Sequence, residues 1–440
     1  MNTRNHLRIG LAFPALGKHG LDHFLSIIVA HNGEVDLVVF PEAFELVPAD
    51  ASCRPGNIPE NAKFAAIRAT YIRAARECAA GIVVGVAVDY GNSAMNGDGN
   101  DQYCMFVSPD GETKLYHKHS TSRFNAFFDD DWSIEDNFPV ADMKGVKVGF
   151  SVCHDAFISL IPKVLKAKGA EVWVNISYQN VKPHIWQPVL QARAVENELL
   201  VVYTLHRNSR EGNPQKEPYA YSECGKIRLR DLRDGMDISK ISDTRRAGRV
   251  FWFDTARHEV DPPEEVEPAE QISVADPLVV ESGPAGKPRI GRGEAGYPIL
   301  DISLETFVRF PERMWKVVLE ERKKSPSRTP VFVIWAKSAA DWIKSKPAAM
   351  SIVRGRVVEF STLFLVMNRE SGGPLLAAYR SSNYKDTKVL APSQLPITIG
   401  KRYLKGLAST YRISLEDGRQ QDDTVYFQRV QRMVDYLTER

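Results

Sequence analysis

Three side chains that could cooperate in covalent catalysis stand at the ends of short apolar runs. Glu42 follows VDLVVF, Lys118 ends TKLYHK, and Cys153 ends VKVGFSVC. A carboxylate among apolar neighbours is a candidate general base, because burial raises its pKa. A lysine near a cysteine favours the thiolate and can donate to a developing oxyanion. A single Glu or Lys at a strand end is more often a surface charge, so the hypothesis depends on the three together.

The sequence around Cys153 favours a nucleophile. A predicted strand, 146–153, ends at this residue and is followed at once by a predicted helix, 157–169. Such a turn exposes the sulfur at the sheet edge and directs helix N–H groups toward it, so we expect a lowered thiol pKa. The alternative is a small buried core residue.

Alternating patterns along the first 250 residues predict the elements that position these side chains. Strands are predicted at 8–13, 35–40, 81–90, 102–109, 113–118, 146–153, 171–177 and 199–206. Helices are predicted at 21–31, 61–79, 157–169 and 186–198. This alternation indicates an α/β domain whose sheets are covered by helices.

A second, smaller domain follows a change of composition. Residues 261–297 are first acidic and proline-punctuated, then glycine-rich, without helical or strand periodicity. Beyond them we predict an α+β domain with no internal repeat of the first. Its elements are a helix over 303–324, kinked or starting at Pro311, a strand at 329–336, antiparallel strands within 353–380 and a helix over 424–440. The predicted organisation is thus a first domain at 1–258, a linker at 259–299 and a second domain at 300–440.

The first domain resembles the nitrilase superfamily, also called the carbon–nitrogen hydrolase family, from about residue 7 to about residue 256. Order and spacing fit its Glu–Lys–Cys set, with 76 residues from Glu42 to Lys118 and 35 from there to Cys153. The segment 81–118 resembles the family's strand, variable loop and Y-x-K stretch. The helix WQPVLQARAVENELL resembles the Q-x-R-A-x-E-N stretch that follows the nucleophile strand.

The resemblance implies an α-β-β-α sandwich and a mechanism. Glu42 takes the thiol proton, Cys153 attacks a carbonyl or nitrile carbon, and Lys118 with the backbone N–H of His154 holds the oxyanion. Ammonia or an amine departs and a thioester remains on Cys153. Water then hydrolyses the thioester and releases the acid. No metal and no organic cofactor is expected.

The resemblance also implies supporting residues and an assembly. Arg193, Glu196 and Asn197 match the family's structural helix, where we expect them to brace the site through hydrogen bonds. Two chains of this fold usually join through helices, so a homodimer or higher oligomer is expected.

Departures from the family pattern limit the substrate prediction. Many members carry a second glutamate shortly after the lysine, whereas 119–136 reads HSTSRFNAFFDDDWSIED. Asp129, Asp130 or Asp131 could replace that glutamate, or the three could form a solvated loop. Asp155 and Asn175 are further candidates for supporting the site.

The residues after the nucleophile favour an amide over a nitrile. The sequence Cys-His-Asp at 153–155 is closer to the Cys-x-Asp of amidases and carbamoylases than to the Cys-Trp-Glu of nitrilases. The Phe-Pro-Glu that commonly follows is absent, since Phe157 is succeeded by Ile158 and Ser159. We therefore expect a small-molecule amide or carbamoyl substrate.

Composition places the chain among globular proteins with reduced cysteines. Five cysteines without a CxxC pair indicate neither a disulfide framework nor a zinc knuckle. No apolar run approaches the roughly 18 residues that span a bilayer, and the opening MNTRNHLRIGL is too polar for a signal peptide. We expect a cytoplasmic protein that does not associate with membranes.

Charge is uneven along the chain, whose overall net charge is +2. Residues 251–300 carry 4 Lys/Arg against 10 Asp/Glu, and residues 301–440 carry 24 against 15. The basic segment could bind nucleic acid or another acidic partner, or be ordinary solvated surface; it contains no recognised nucleic-acid motif.

Three functions therefore stay open. The leading hypothesis is a cysteine hydrolase of amide or carbamoyl bonds, with a C-terminal domain that gates the site, assembles chains or binds an acidic ligand. The second is a scaffold or sensor of the same fold that recognises a partner through its basic domain. The third is an acyltransferase that uses an amine in place of water.

Overall fold

The computed structural model describes most of the chain, in two compact units. The described residues are 6–14, 20–30, 34–48, 61–89, 101–119, 132–178, 183–206, 217–232, 248–261, 289–292, 298–324, 331–360, 364–370, 374–380, 387–390 and 423–439. The first unit comprises Met1–Ala156, Ile161–Asn180 and Glu198–Pro262. The second comprises Phe157–Leu160, Val181–Asn197 and Pro263–Arg440.

The first unit is built around two sheets. Its strands are β1 Arg8–Phe13, β2 Leu37–Val39, β3 Glu45–Pro48, β4 Gly81–Asp89, β5 Asp101–Val107, β6 Thr113–His117, β7 Val140–Met143, β8 Val146–Val152, β9 Val172–Ile176, β10 Leu200–Thr204, β11 Tyr219–Ser222, β12 Gly225–Ile227, β13 Arg230–Asp231, β14 Arg249–Asp254 and β15 Val260–Asp261. Its helices are α1 Leu21–Ala30, α2 Ala62–Cys78, α3 Ile134–Asn137 and α4 Leu160–Ala167.

One sheet has the order β13-β14-β1-β2-β4-β5-β6, with β3 also paired to β4, and the other has the order β15-β12-β11-β10-β9-β8-β7. Parallel strands lie side by side in each sheet: β1, β2 and β4 in the first, and β8, β9 and β10 in the second. Glu42 and Cys153 follow two of these strands, whereas Lys118 follows β6, an antiparallel strand at an edge of the first sheet. The burial of β2 and β9 on both faces explains why these strands read as continuous apolar runs.

The two sheets pack face to face between layers of helix. Phe106 of β5 stacks on Phe150 of β8 with ring centroids 5.4 Å apart, and the Thr204 hydroxyl donates to the carbonyl oxygen of Ala12 at 2.7 Å. Helices α1 and α2 cover the outer face of the first sheet with a core that includes Phe24 and Phe64. Helix α4 covers the second sheet, where Leu165 packs over Gly149. The predicted α-β-β-α sandwich of the nitrilase type is confirmed.

The second unit contains a six-stranded mixed sheet and longer helices. Its strands, in the order β16-β17-β18-β19-β20-β21, are Arg289–Arg292, Pro298–Ser303, Val331–Ala336, Phe364–Asn368, Pro374–Arg380 and Thr387–Leu390. Its helices are α5 Pro183–Asn197, α6 Leu304–Arg309, α7 Pro311–Lys324, α8 Ala339–Phe360 and α9 Asp423–Thr438. The helix predicted over 303–324 is therefore two helices, and Pro311 begins the second, where its missing N–H costs nothing.

One element of the second unit differs from its prediction. Residues 353–360 were expected to form a strand, but they are the last turns of α8. The buried positions Ala349, Ile352, Val353 and Arg356 recur at spacings of three and four, as on one face of a helix. An arginine in that face disguises the helical period, and the neighbouring valines suggest a strand.

The predicted linker and the domain boundaries stay predictions. Within 259–299, residues 289–292 form β16 and pair with β17, while 262–288 lie outside the described residues. In the part of the chain that the structure describes, no helix has both the length and the apolarity needed to cross a bilayer.

Candidate active site

Glu42 lies just beyond β2 in a backbone turn that only a glycine neighbour allows. A Cβ at Gly85 of β4 would overlap the backbone of Pro41 and Glu42. The next residue, Ala43, has a φ of 51°. The Glu42 amide donates to the carbonyl oxygen of Ser177 at 3.2 Å, which ties this turn to the end of β9. The carboxylate is buried.

Lys118 follows β6 and reaches Glu42. Its Nζ donates to Oε1 of that carboxylate at 2.9 Å, and both side chains are almost wholly buried. Burial alone would lower the pKa of Lys118, but the charge of Glu42 and its hydrogen bond raise the pKa above its usual value. The site therefore holds a fixed ammonium at neutral pH.

Cys153 occupies a strained turn between β8 and a short 3-10 helix, Cys153–Phe157. Its φ of 48° lies in the left-handed region, which costs a non-glycine residue free energy. A nucleophile held on such a strand-to-helix turn presents its side chain away from the sheet. This geometry supports the predicted exposure of the sulfur at the sheet edge.

The expected lowering of the thiol pKa is wrong. Burial raises the pKa of Cys153 to about 12, and the Glu42 charge adds to this, while Lys118 opposes it. The five-residue 3-10 helix supplies too little dipole to reverse that balance. Consequently the resting sulfur is a neutral thiol, and its proton has to move to a base during the reaction.

Glu42 is the carboxylate placed to receive that proton. Its charge is one of the causes that raise the pKa of the Cys153 thiol, because the carboxylate lies close to the sulfur. Lys118 takes Oε1, and among the described residues Oε2 accepts from no N–H or O–H donor. One oxygen is thus held by a cation while the other stays open to a proton.

Two residues that the sequence did not single out touch this group. The Ser177 hydroxyl donates to Sγ of Cys153 at 3.2 Å. His206 places Nε2 2.9 Å from the carbonyl oxygen of Glu42. Burial lowers the pKa of His206 to about 4, so the ring is neutral and donates through Nε2. Ser177 and His206 follow β9 and β10, at the same carboxyl edge as Cys153.

Asp155, a predicted supporting residue, holds the turn rather than the sulfur. Its buried Oδ2 accepts from the Tyr116 hydroxyl at 2.8 Å, from the His119 amide at 3.2 Å and from the Val152 amide at 3.4 Å. It therefore joins the strand end before Cys153 to the residue after Lys118.

Asn175 holds the same turn from β9. Its Nδ2 donates to the Ser151 hydroxyl at 2.7 Å and to the carbonyl oxygen of Cys153 at 3.3 Å. Trp173 donates to the same hydroxyl at 2.9 Å. Asp129, Asp130 and Asp131 lie outside the described residues.

Two residues of the Q-x-R-A-x-E-N stretch, Arg193 and Glu196, take part in a buried ring of ion pairs within the second unit. Arg193 pairs with Glu196 at 2.8 Å and with Glu359 at 3.1 Å, and Arg356 pairs with Glu196 at 2.6 Å and with Glu359 at 2.8 Å. Asn197 donates to the carbonyl oxygen of Arg193 at 3.0 Å. Two of the four charges, Arg356 and Glu359, come from α8, which sequence reasoning had not connected to this helix.

Comparison with known proteins identifies a family match for residues 16–224. The model of the carbon–nitrogen hydrolase family matches residues 16–224, just under half of the chain, and this range contains the three site residues. Residues 16–224 belong to the carbon–nitrogen hydrolase family. The predicted nitrilase-superfamily membership is thereby confirmed for this part of the chain.

Individual relatives of this carbon–nitrogen hydrolase region are distant. An (R)-stereoselective amidase from Pseudomonas sp. is 27% identical over 187 residues, which are 42% of this chain and 64% of that protein. Crystal structures of an amidase from Nesterenkonia sp. AN1 are 18% identical. One covers 50% of this chain and 88% of its own with a TM-score of 0.36, and another covers 57% and 90% with a TM-score of 0.39.

Proposed function

We propose that this carbon–nitrogen hydrolase domain cleaves a non-peptide amide bond, or a carbamoyl bond, through a thioester on Cys153. The observation that carries the proposal is the convergence of a neutral thiol, a buried carboxylate and a fixed ammonium at strand ends of the two packed sheets. The amidase relative and the Cys-His-Asp sequence at 153–155 support an amide over a nitrile.

The first half-reaction forms the thioester. Glu42 takes the thiol proton as Sγ of Cys153 attacks the carbonyl carbon, so that no free thiolate has to be maintained in the resting site. The oxyanion is stabilised by Lys118 and by the backbone N–H of His154. Glu42 then gives its proton to the leaving nitrogen, the carbon–nitrogen bond breaks, and ammonia or an amine departs.

The second half-reaction returns the enzyme to its starting state. Glu42 removes a proton from water, and the resulting nucleophile attacks the thioester carbon. The same two donors stabilise the second oxyanion. The acid departs, and the sulfur recovers the proton from Glu42, so one water is consumed for each bond cleaved.

The direct test is ammonia release from pools of amides, carbamoyl compounds and nitriles, with intact-mass analysis of Cys153. We expect release from amides or carbamoyl compounds and an acyl adduct on this cysteine. Glu42→Gln should abolish release, because glutamine cannot accept the proton. Glu45→Gln is the matched control, since Glu45 is also partly buried but bonds to Tyr71, and it should retain turnover.

Two outcomes would redirect the proposal. Absence of both ammonia and adduct, with Cys153 reduced and accessible, would favour the scaffold or sensor hypothesis. Formation of a new amide when amine acceptors are added would favour the acyltransferase. Lys118→Met should lower kcat by about 10²–10³-fold if the ammonium stabilises the oxyanion. Lys114→Met, on the strand that precedes Lys118, should leave kcat unchanged.

A further inference from the structure

We infer that Glu359, in the C-terminal part of the chain, is a positioning residue for the nucleophile turn. The inference deepens the proposed function and depends on it only in taking Cys153 as the nucleophile. Its basis is a set of buried contacts within the second unit, made to the residues that directly follow that turn.

Glu359 binds Ser159 through two hydrogen bonds. Its Oε1 accepts from the Ser159 amide at 2.9 Å and from the Ser159 hydroxyl at 2.7 Å. The indole N–H of Trp315 lies 3.0 Å from the same oxygen and 3.1 Å from the hydroxyl. These groups are all buried, so water does not compete for the bonds.

The other oxygen of Glu359 acts on Phe157 through Arg193. Oε2 accepts from Nη2 of Arg193 at 3.1 Å, and that same nitrogen donates to the carbonyl oxygen of Phe157 at 2.8 Å. The carboxylate thus fixes both ends of the tripeptide 157–159, one directly and one through the guanidinium. The 3-10 helix that begins at Cys153 ends at Phe157, so the clamp starts at its last residue.

Such a clamp has a physical task at this point of the chain. Cys153 has a φ of 48°, and a residue in the left-handed region relaxes unless its surroundings hold it there. Asp155 and Asn175 hold the turn from within the first unit. Glu359 holds the chain that leaves the turn, and so it limits how far the sulfur can move from Glu42 and Lys118.

The charge of Glu359 is suited to this task. Burial alone would raise its pKa, but Arg193, Arg356 and the Ser159 amide hold the pKa below its usual value. The carboxylate therefore stays ionised through the neutral range and accepts from every donor around it. It also stands beside Ser159, the position at which the family's Phe-Pro-Glu pattern would place a glutamate. Here a glutamate 200 residues further along the chain supplies that carboxylate.

The test measures the reactivity of Cys153 without needing a substrate. The full-length protein is treated with iodoacetamide, and alkylation of Cys153 is followed by peptide mass spectrometry relative to exposed Cys224, an internal reference. We expect Glu359→Gln and Glu359→Ala to lower this ratio about tenfold. Turnover of the best amide should show a similar loss in kcat with little change in KM.

A relocation variant separates positioning from general stability. Ser159→Glu combined with Glu359→Ala moves the carboxylate across the 2.7 Å contact, and it should recover most of the alkylation ratio. Leu300→Ala is the control, because Leu300 is fully buried in β17 and its truncation loosens the same unit without removing the carboxylate. At an equal loss of Tm, it should leave the ratio unchanged.

Several results would overturn the inference. One is an equal fall in the ratio for Leu300→Ala, which would assign Glu359 a structural role only. Another is a folded relocation variant that fails to recover the ratio. Should Glu359→Ala fail to fold, Glu359→Gln, which keeps the side-chain shape, decides by the same ratio. If no amide is cleaved by the wild type, the proposed function fails, while the alkylation ratio still tests the clamp.

Discussion

The two units each bury a cluster of charged side chains, but the clusters are built differently. In the first unit, one carboxylate, Glu42, and one ammonium, Lys118, stand beside the neutral thiol of Cys153. In the second unit, two arginines and two glutamates form a ring in which each side chain pairs with two others of opposite charge.

The difference separates a cluster prepared for proton transfer from one that fixes structure. The ring is charge-balanced, with its hydrogen bonds directed at fixed partners, so moving a proton within it would break pairs at both ends. The site has a strained residue, a thiol with a raised pKa and a carboxylate with one oxygen open. A buried group with a perturbed pKa therefore indicates a functional site only when a neighbouring group can still exchange a proton with it.

Removal of the proposed nucleophile should have the largest effect on activity and almost none on stability. Cys153→Ala should reduce turnover by at least about 10⁴-fold, because the proposed thioester needs the Cys153 sulfur. Its Tm should move by no more than about 2 °C, since the change removes a single sulfur atom from a half-buried residue. Ammonia release and differential scanning calorimetry measure the two effects.

The control for this prediction is Cys104, a cysteine of the same unit that, unlike Cys153, is wholly buried. Cys104→Ala removes a wholly buried thiol from β5 and should do the reverse, lowering Tm while leaving turnover intact. A large loss of Tm in Cys153→Ala would show that this residue is a core cysteine.

Breaking the ring should have the largest effect on stability. Arg356→Met leaves two buried glutamates facing one arginine, and an unpaired buried charge costs about 3–5 kcal/mol of unfolding free energy. Urea denaturation followed by circular dichroism measures this loss. Adding Glu196→Leu restores the balance of charge, and so the double variant should recover a substantial part of it.

The double variant tests whether charge balance is what stabilises the ring of ion pairs. If it is no more stable than Arg356→Met alone, charge balance is not what stabilises the ring, and lost packing of the arginine side chain explains the effect instead. Neither variant removes a residue that contacts the thiol.

Much of the first unit could be predicted because its signals are local. The continuous apolar run before Glu42 is a strand buried on both faces, and the strand ending at Cys153 lies where the pattern placed it. Strand ends of the two packed sheets bring distant residues together, and Glu42, Lys118 and Cys153 were recognisable from their order and spacing. The family pattern added the role that each could have.

What could not be predicted depends on contacts between distant segments. Ser177 and His206 are ordinary residues until parallel strands align their ends with Cys153. The thiol pKa was predicted in the wrong direction because burial and the nearby carboxylate outweigh a short helix, and neither is visible locally. The contact between Glu359 and Ser159 could not be predicted for two reasons. The residues are 200 positions apart, and Glu359 lies in a segment whose sequence resembled a strand.

A smaller effect, the dependence of stability on pH, should come from His206, which lies beside Glu42 in the first unit. Its pKa is about 4 in the folded protein and about 6.5 in the unfolded chain, so between these values the unfolded state binds more protons. Its contribution to stability is therefore lost as pH falls from 6.5 toward 4. The unfolding free energy should fall by about 2 kcal/mol on this account between pH 6.5 and 4.5.

The measurement is the difference in pH dependence between the wild type and His206→Gln, by urea denaturation. Glutamine keeps a donor for the carbonyl oxygen of Glu42 but does not titrate, and so the variant should lose this part of the slope. The chosen window lies above 4.5, where Glu359, whose folded pKa is lowered, still contributes its full stability. If the unfolding free energies of the two proteins depend on pH with the same slope, the buried imidazole of His206 is protonated as easily as an exposed one.

The smallest effect should come from the hydroxyl that touches the sulfur. Ser177 donates to Sγ of Cys153, and this bond is one of the influences that lower a thiol pKa otherwise raised by burial. Ser177→Ala should therefore shift the pH profile of Cys153 alkylation to higher pH and slow the reaction about three- to tenfold at neutral pH, as expected for one hydrogen bond of about 1 kcal/mol. Ser177→Thr keeps the hydroxyl and should retain the wild-type profile, whereas Ser222→Ala removes a hydroxyl from the β11–β12 turn and should change nothing. An unshifted profile in Ser177→Ala would mean that Glu42 and Lys118, together with burial, set the proton affinity of the sulfur. Ser177 would then contact the thiol without influencing its pKa.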